Sequence, residues 1–181
     1  MRDFFVYYLV PDKLYLIYKY KKTHGVKPDL DQPESIDEKL QWIKLHDRKP
    51  IYHKMIDKVA AKDFVEQRLG TDEFTIPLLG CWKSFDDIDF STLPEQFVLK
   101  CNHDSYSWII CKNKNELDKV AARNKLTEAL KRNYYRGSNK QWGYDKIDRM
   151  IMAEQYLDKE KLEYQVFVIM ENRYSFLSGM I

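Results

Sequence analysis

Two short apolar segments separated by a polar one constrain the fold of this chain most strongly. Residues 97–99 (FVL) and 108–111 (WIIC) are apolar, and the polar run NHDS at residues 102–105 lies between them. Apolar runs joined by turn-forming residues predict a β-hairpin, and therefore an antiparallel pair of strands. A hairpin does not require a lysine at the end of an apolar strand, so Lys100 needs a partner or a ligand.

Helical patterns fill much of the first half of the chain. Ser35 and Glu38 have the spacing of a capping box, which predicts that a helix follows. After the sequence RKP, a longer helix is expected over residues 51–69, closed by Gly70. A third helix is expected over residues 115–133, with the asparagine at its first position as the cap. The residues expected to point inwards from this helix are Leu117, Val120, Ala121, Leu126, Ala129 and Leu130.

The remaining apolar runs predict strands. Residues 74–82 predict a strand that lies at the edge of a sheet or has Pro77 at its end, because proline cannot donate a hydrogen bond to a central ladder. Residues 149–157 predict a strand that carries Glu154, and residues 164–181 predict a final hairpin. The predicted elements begin with helices and continue with hairpins on either side of a later helix. This order indicates an α+β fold with largely antiparallel strands. The sequence contains no glycine-rich phosphate loop of the Rossmann or P-loop type.

Composition argues against several classes of protein. Thirty basic and 28 acidic residues give a net charge of +2, which is too balanced for a general nucleic-acid-binding protein. The three cysteines have no disulfide-framework spacing, which favours a reducing, cytoplasmic setting. Cys101, His103 and Cys111 could be drawn as zinc ligands. A fourth ligand at metal spacing is missing, so we expect the cysteines to pack in the core.

The N-terminal segment is apolar but short. The run FFVYYLV at residues 4–10 is too short to span a membrane, and no small-residue cleavage site follows it. Residues 14–22 (LYLIYKYKK) form a basic, aromatic and amphipathic segment. We expect this segment to cover a groove of its own domain, with peripheral contact to the inner face of a membrane as the alternative.

Three charged residues interrupt their local patterns. Lys100 ends an apolar strand, Glu154 lies within one, and Lys58 follows an aspartate on a predicted helix. A half-buried charge must be paired or meet a ligand, so Lys100 and Glu154 could simply form an internal ion pair. Together, two lysines, a polar loop with its backbone N–H groups and a carboxylate suggest a site for a nucleoside triphosphate.

Five segments resemble, in order, the TupA-like ATP-grasp family. They are SIDEKLQWIKLHDRKPIYHKMIDKVAAKDFV, IPLLGCWKSFDDIDFSTLPEQFVLKCNHDS, ICKNK, LKRNYY and IMAEQYL. The resemblance runs from about residue 30 to residue 157 and covers most of the chain. It implies an ATP-grasp-like fold, in which ATP lies between two antiparallel α+β subdomains.

The resemblance also implies roles for individual residues. Lys58 and Lys100 match the two lysines that contact phosphates, and Glu154 matches the glutamate that begins the adenine and ribose contacts. In this family the loop after the second lysine folds over the phosphates. Its nucleotide-binding candidates here are Asn102, His103, Asp104 and Ser105.

The implied chemistry is phosphorylation of a carboxylate by ATP and attack of an amine on the acyl phosphate, with Mg²⁺ neutralising charge. The family is linked to teichuronopeptide and other surface-polysaccharide assembly, and its members are often labelled glycosyltransferases. The implied partners are a nucleotide and a polysaccharide or peptide precursor, without nucleic acid. Two alternative functions remain.

One alternative is a non-catalytic scaffold, and the other is a sugar-nucleotide glycosyltransferase. A glycosyltransferase would use DDID at residues 86–89 as a metal site, although we expect an exposed turn there.

The sequence departs from the family pattern in two places. Tyr106, Ser107 and Trp108 stand where the family usually has glycines, and we expect the bulky residues to occlude the phosphates or remodel the loop. The family's Mg²⁺ ligands lie beyond the hairpin at which this sequence stops. We therefore expect an incomplete second sheet, no metal ligands, and weak or absent catalysis. An exposed sheet edge would favour homo-oligomers.

The expected organisation has four segments. Residues 1–34 form an N-terminal helical segment with its linker, and residues 35–93 form an N-terminal region of helices and a strand. Residues 94–156 correspond to the central, lid-like ATP-grasp subdomain. Residues 157–181 correspond to the start of the C-terminal subdomain.

Overall fold

The structure is a computed structural model that describes residues 9–137 and 140–158. The helices are α1 (Asp12–His24), α2 (Ile36–His46), α3 (Ile51–Ile56), α4 (Lys58–Leu69), α5 (Lys119–Lys131) and α6 (Tyr134–Gly137). The strands are β1 (Leu78–Trp82), β2 (Phe97–Cys101), β3 (Ile109–Cys111) and β4 (Ile151–Gln155). The final hairpin predicted at residues 164–181, and with it the second sheet, lies outside the described residues.

These strands form one antiparallel sheet in the order β1-β4-β2-β3. β2 and β3 are the predicted hairpin, with Phe97 opposite Cys111. β1 lies at the edge of the sheet beside β4, and it begins immediately after Pro77, which confirms the predicted edge strand. The antiparallel sheet with its flanking helices confirms the α+β prediction.

The hydrophobic core lies on one face of the sheet. Phe97, Leu99 and Cys101 alternate along β2 and are fully buried on that face, where Leu126 of α5 packs against them. Cys111 of β3 belongs to the same cluster. The expected core packing of these two cysteines is therefore confirmed.

Two predicted helix ends are confirmed in detail. The Ser35 hydroxyl accepts a hydrogen bond from the Glu38 backbone N–H at 3.2 Å, and the Glu38 carboxylate accepts one from the Ser35 N–H at 3.1 Å. This reciprocal pair is the capping box that begins α2. Gly70 closes α4 at a φ of 72°, a left-handed conformation that glycine adopts without steric cost.

The single helix expected over residues 51–69 is wrong, because Asp57 divides it. Asp57 has an extended backbone, and its carboxylate accepts a hydrogen bond from the Val59 N–H at 2.9 Å. The aspartate therefore ends α3 and caps α4 at the same position. No residue of α3 or α4 is fully buried.

The predicted start of the third helix is also wrong. Asn113 caps a short 3₁₀ turn through a 3.0 Å bond from the Asn115 N–H, and Asp118 then caps α5 through a 2.9 Å bond from the Ala121 N–H. Val120, expected to point inwards, is 71% exposed, whereas Leu126 is buried as expected.

The amphipathic segment near the N-terminus forms α1 and buries Tyr15, Leu16 and Tyr20. The segment therefore covers part of its own domain, as the preferred interpretation predicted. In the part of the chain that the structure describes, no helix is long and apolar enough to cross a membrane.

Candidate functional site

The face of the sheet opposite the core carries the charged residues. Val98 of β2 lies opposite Glu154 of β4, and Lys100 lies opposite Met152. Because alternate residues of a strand share a face, Lys100 and Glu154 lie on the same side of the sheet. α4 contributes Lys62 to this side, so two strands and a helix place charged groups together.

Glu154 is the centre of this arrangement, with a side chain that is only 5% exposed. Its Oε1 lies 2.8 Å from Lys62 Nζ, and its Oε2 contacts Lys100 Nζ. Burial alone would raise the pKa of Glu154. The hydrogen bonds from Lys100 and Lys62 outweigh burial and hold the pKa below its ordinary value, so the carboxylate is ionised near neutral pH. The internal ion pair considered for Lys100 and Glu154 is present.

Lys58 lies at the start of α4, next to the hairpin loop. Its Nζ donates to the backbone carbonyl of Asp104 and, at 3.4 Å, to that of Asn102. Burial lowers the pKa of the Lys58 ammonium from its ordinary value. The loop therefore presents carbonyl oxygens, rather than N–H groups, to this lysine.

Asn102 joins the start of α4 to the start of β4. Its Nδ2 donates to Asp57 Oδ1 at 3.0 Å and to the Asp148 carbonyl at 2.9 Å, and its Oδ1 accepts from the Met150 N–H at 2.9 Å. The residue is fully buried. The Asn102 side chain therefore makes its hydrogen bonds within the protein. The Asn102 backbone carbonyl also accepts a hydrogen bond from the Lys58 N–H at 3.0 Å, which positions Lys58.

His103 and Asp104 are both 2% exposed and retain unused hydrogen-bonding groups. Among the described residues, neither ring nitrogen of His103 has a hydrogen-bond partner, nor does Asp104 Oδ2. Burial lowers the pKa of His103, so its imidazole is neutral near pH 7. The other oxygen of Asp104 accepts hydrogen bonds from the hydroxyl and the N–H of Ser107, which fold the loop.

The loop exposes Ser105 and the two bulky residues that follow it. Tyr106 is 72% exposed and Trp108 is 53% exposed, so neither aromatic ring fills a cavity beside the lysines. Trp108 instead lies under Lys125 Nζ, 5.0 Å from the ring centroid. Occlusion of the phosphates or remodelling of the loop by these residues stays a prediction.

Comparison with known proteins gives a decisive match. The family model described as TupA-like ATPgrasp matches residues 38–173, most of the chain and all of the charged cluster. The chain belongs to the TupA-like ATP-grasp family. No curated protein and no solved structure matches it.

Proteins with the ATP-grasp fold generally use ATP and Mg²⁺, and the residues around Glu154 suit the nucleotide better than the metal. Three lysine ammoniums beside a strand-end loop provide the cations that phosphates require. Within residues 9–137 and 140–158, no three carboxylate, imidazole or thiolate side chains cluster closely enough to hold a metal ion.

The acidic run considered for a glycosyltransferase has local structural roles. Asp87 Oδ2 accepts a hydrogen bond from the Ser84 N–H at 3.1 Å, and Asp89 Oδ1 accepts one from the Ser91 N–H at 2.9 Å. Asp86 forms an exposed ion pair with Arg123. These carboxylates hold an exposed turn, so nothing in the geometry favours a metal site there.

Lys62 is the residue of the charged cluster that the sequence did not single out as a binding residue. It lies one helical turn after Lys58, so both side chains leave the same side of α4. That spacing was visible in the sequence. The proximity of Lys62 to Glu154 was not, because it depends on how α4 crosses the sheet.

Proposed function

We propose that this TupA-like ATP-grasp chain binds ATP on the face of the sheet that carries Glu154. The observation that supports the proposal is that Lys62 and Lys100 contact one buried carboxylate, while Lys58 contacts the loop that follows Lys100. Several ammonium groups beside an exposed loop create the positive potential that attracts a triphosphate.

The proposed roles follow the positions of the side chains. Lys100, at the end of β2 and 22% exposed, turns from Glu154 towards phosphate oxygens. Lys58 exchanges the loop carbonyls for phosphate oxygens, and Ser105 contributes its exposed hydroxyl and N–H. Glu154 accepts hydrogen bonds from ribose hydroxyls or the adenine amino group. His103 and Asp104 bring their unused polar atoms to the same loop.

We further propose that the bound ATP activates a carboxylate for ligation or transfer in cell-surface polysaccharide or teichuronopeptide synthesis. The acceptor would be a polysaccharide or peptide precursor, handled in the cytoplasm at the inner face of the membrane. Family membership supports the ATP-dependent part of this role. When bound, Mg²⁺ would neutralise charge on the transferred phosphoryl group.

A thermal-shift experiment with ATP and Mg²⁺ tests nucleotide binding. At an ATP concentration about 100 times Kd, binding stabilises the protein by about 2.7 kcal/mol, which raises Tm by about 5–10 °C. Lys100→Ala should remove the shift, whereas Lys131→Ala should keep it, because Lys131 forms only an exposed ion pair with Glu128. No shift in the unmodified chain at millimolar ATP would refute the proposal.

A second candidate function is a binding or scaffold module that kept the fold without the nucleotide site. One observation favours it: Lys58, Lys62 and Lys100 all contact groups of the protein itself. In that case Lys100→Ala lowers Tm equally with and without ATP. The same experiment therefore separates the two functions.

A further inference from the structure

The two oxygens of Glu154 are held by lysines from different elements. Oε1 contacts Lys62 of α4 at 2.8 Å, and Oε2 contacts Lys100 of β2. Glu154 itself lies in the interior strand β4 with its side chain 5% exposed. A carboxylate at this depth needs a cation beside it, because a buried unpaired charge is strongly destabilising.

The two lysines differ in how far they reach towards solvent. Lys62 has a side chain that is 12% exposed, and its Nζ also donates to the backbone carbonyl of Ile76. Lys100 is 22% exposed and lies at the end of β2, where the polar loop begins. Lys100 is therefore better placed to move towards a ligand, and Lys62 is better placed to stay.

We propose that Lys62 is a positioning residue that keeps Glu154 paired when Lys100 turns to the phosphates of a bound nucleotide. This inference rests on the proposed nucleotide-binding function and adds a residue to it. With Lys62 in place, Lys100 can move away from the carboxylate, and Glu154 still has a cation beside its buried negative charge. Lys62 also fixes the direction of the carboxylate, so that one oxygen is released for the nucleotide when Lys100 departs.

Loss of Lys62 should change the number of protons that the protein takes up when ATP binds. In a Lys62→Met variant, Lys100 is the only lysine among the described residues that still contacts the Glu154 oxygens, so its departure leaves the carboxylate buried and unpaired. Such a carboxylate takes up a proton. ATP binding to the variant should therefore be coupled to uptake of one proton, which weakens affinity by about tenfold for each unit that pH rises.

Other titratable groups around Glu154 do not replace Lys62. Lys58 on α4 and Cys81 on β1 both interact electrostatically with Glu154. Lys58 is bonded to loop carbonyls, and burial raises the pKa of Cys81, which keeps its thiol neutral. Neither contacts a carboxylate oxygen of Glu154, so neither takes over the charge compensation.

Isothermal titration calorimetry with ATP tests the inference on the full chain. Affinity is measured between about pH 6 and pH 9 in buffers of different ionisation enthalpy, which report the protons taken up. The variants are Lys62→Met, Lys62→Arg, and Lys62→Met combined with Glu154→Gln. Expressing each affinity relative to the unmodified protein at the same pH cancels the titration of ATP itself.

We expect Lys62→Met to take up a proton and to lose at least about tenfold in affinity at alkaline pH. Lys62→Arg should keep the unmodified behaviour, because it keeps the cation. The double variant should lose the pH dependence, because it has no buried carboxylate to protonate. Lys62→Gln takes the place of Lys62→Met if the methionine variant does not fold.

Two results would overturn the inference, and they are distinguishable. If the unmodified protein binds ATP and the folded Lys62→Met or Lys62→Gln variant shows no proton uptake, Lys62 has no positioning role while the proposed function stands. If the unmodified protein binds no ATP at any pH, both fail together.

Discussion

Glu154→Gln is the most informative single substitution, because it removes the charge on which the cluster is centred and changes the side-chain volume very little. Glu154 is paired with two lysines that are themselves 12% and 22% exposed. Removing one partner from a buried ion pair costs about 3–5 kcal/mol. The lysines here can partly reach water, so we expect about 3 kcal/mol, near the lower end of that range.

The pH dependence follows from the direction of the pKa shift. The hydrogen bonds from Lys100 and Lys62 outweigh the effect of burial and hold the pKa of Glu154 below its ordinary value in the folded protein. The stabilisation is therefore fully present above the unfolded-state pKa and is lost as pH falls through the folded-state pKa. The difference between unmodified protein and variant should be constant at neutral pH and should shrink under acidic conditions.

Urea denaturation measures both effects. With an m-value of about 2 kcal/mol/M, a loss of about 3 kcal/mol lowers the midpoint by about 1.5 M urea. The matched control is Glu128→Gln, which breaks an exposed ion pair with Lys131 and should leave the midpoint unchanged. A midpoint for Glu154→Gln equal to that of the control would refute the argument. So would a difference from the unmodified protein that persists undiminished in acid.

Two further substitutions test the loop. Asn102→Ala removes hydrogen bonds to Asp57 and Met150 and leaves buried polar groups unpaired. We therefore expect the free energy of unfolding, measured by urea denaturation, to fall by about 2–4 kcal/mol. A decrease below about 1 kcal/mol would contradict the bridging role of Asn102. His103→Phe removes a buried neutral imidazole whose pKa is lowered by burial. The unmodified protein should lose stability as pH falls below about 6.5, and the variant should lose less; equal slopes would contradict this.

Local chemistry made much of the fold predictable. The Ser35–Glu38 spacing, Gly70 and Pro77 each act through their immediate neighbours, so the sequence located α2, the end of α4 and the edge strand. The hairpin was predictable because its two apolar runs are close in the chain. The helix break at Asp57 was not predictable, because an aspartate within a helical pattern fits either an exposed helix position or a cap.

The sequence indicated several residues of the candidate site, but it did not predict how their side chains are arranged. Lys100 and Glu154 stood out because each breaks an apolar run, and the alternative of an internal ion pair is what the structure shows. The contact of Lys62 with Glu154 depends on the crossing of α4 over the sheet, which no short pattern encodes. The burial of Asn102 and His103 was also hidden, because polar loop residues are usually exposed.

The bridge made by Asn102 has a consequence for how this site responds to its surroundings. The bonds that hold the start of α4 against β4 come from an uncharged amide that does not titrate. Salt screens the attraction between lysines and an incoming anion, but it weakens buried hydrogen bonds much less, including the one from Asn102 to the Asp57 carboxylate. Ionic strength should therefore tune how strongly the site attracts phosphate, while the spacing between its cations stays the same.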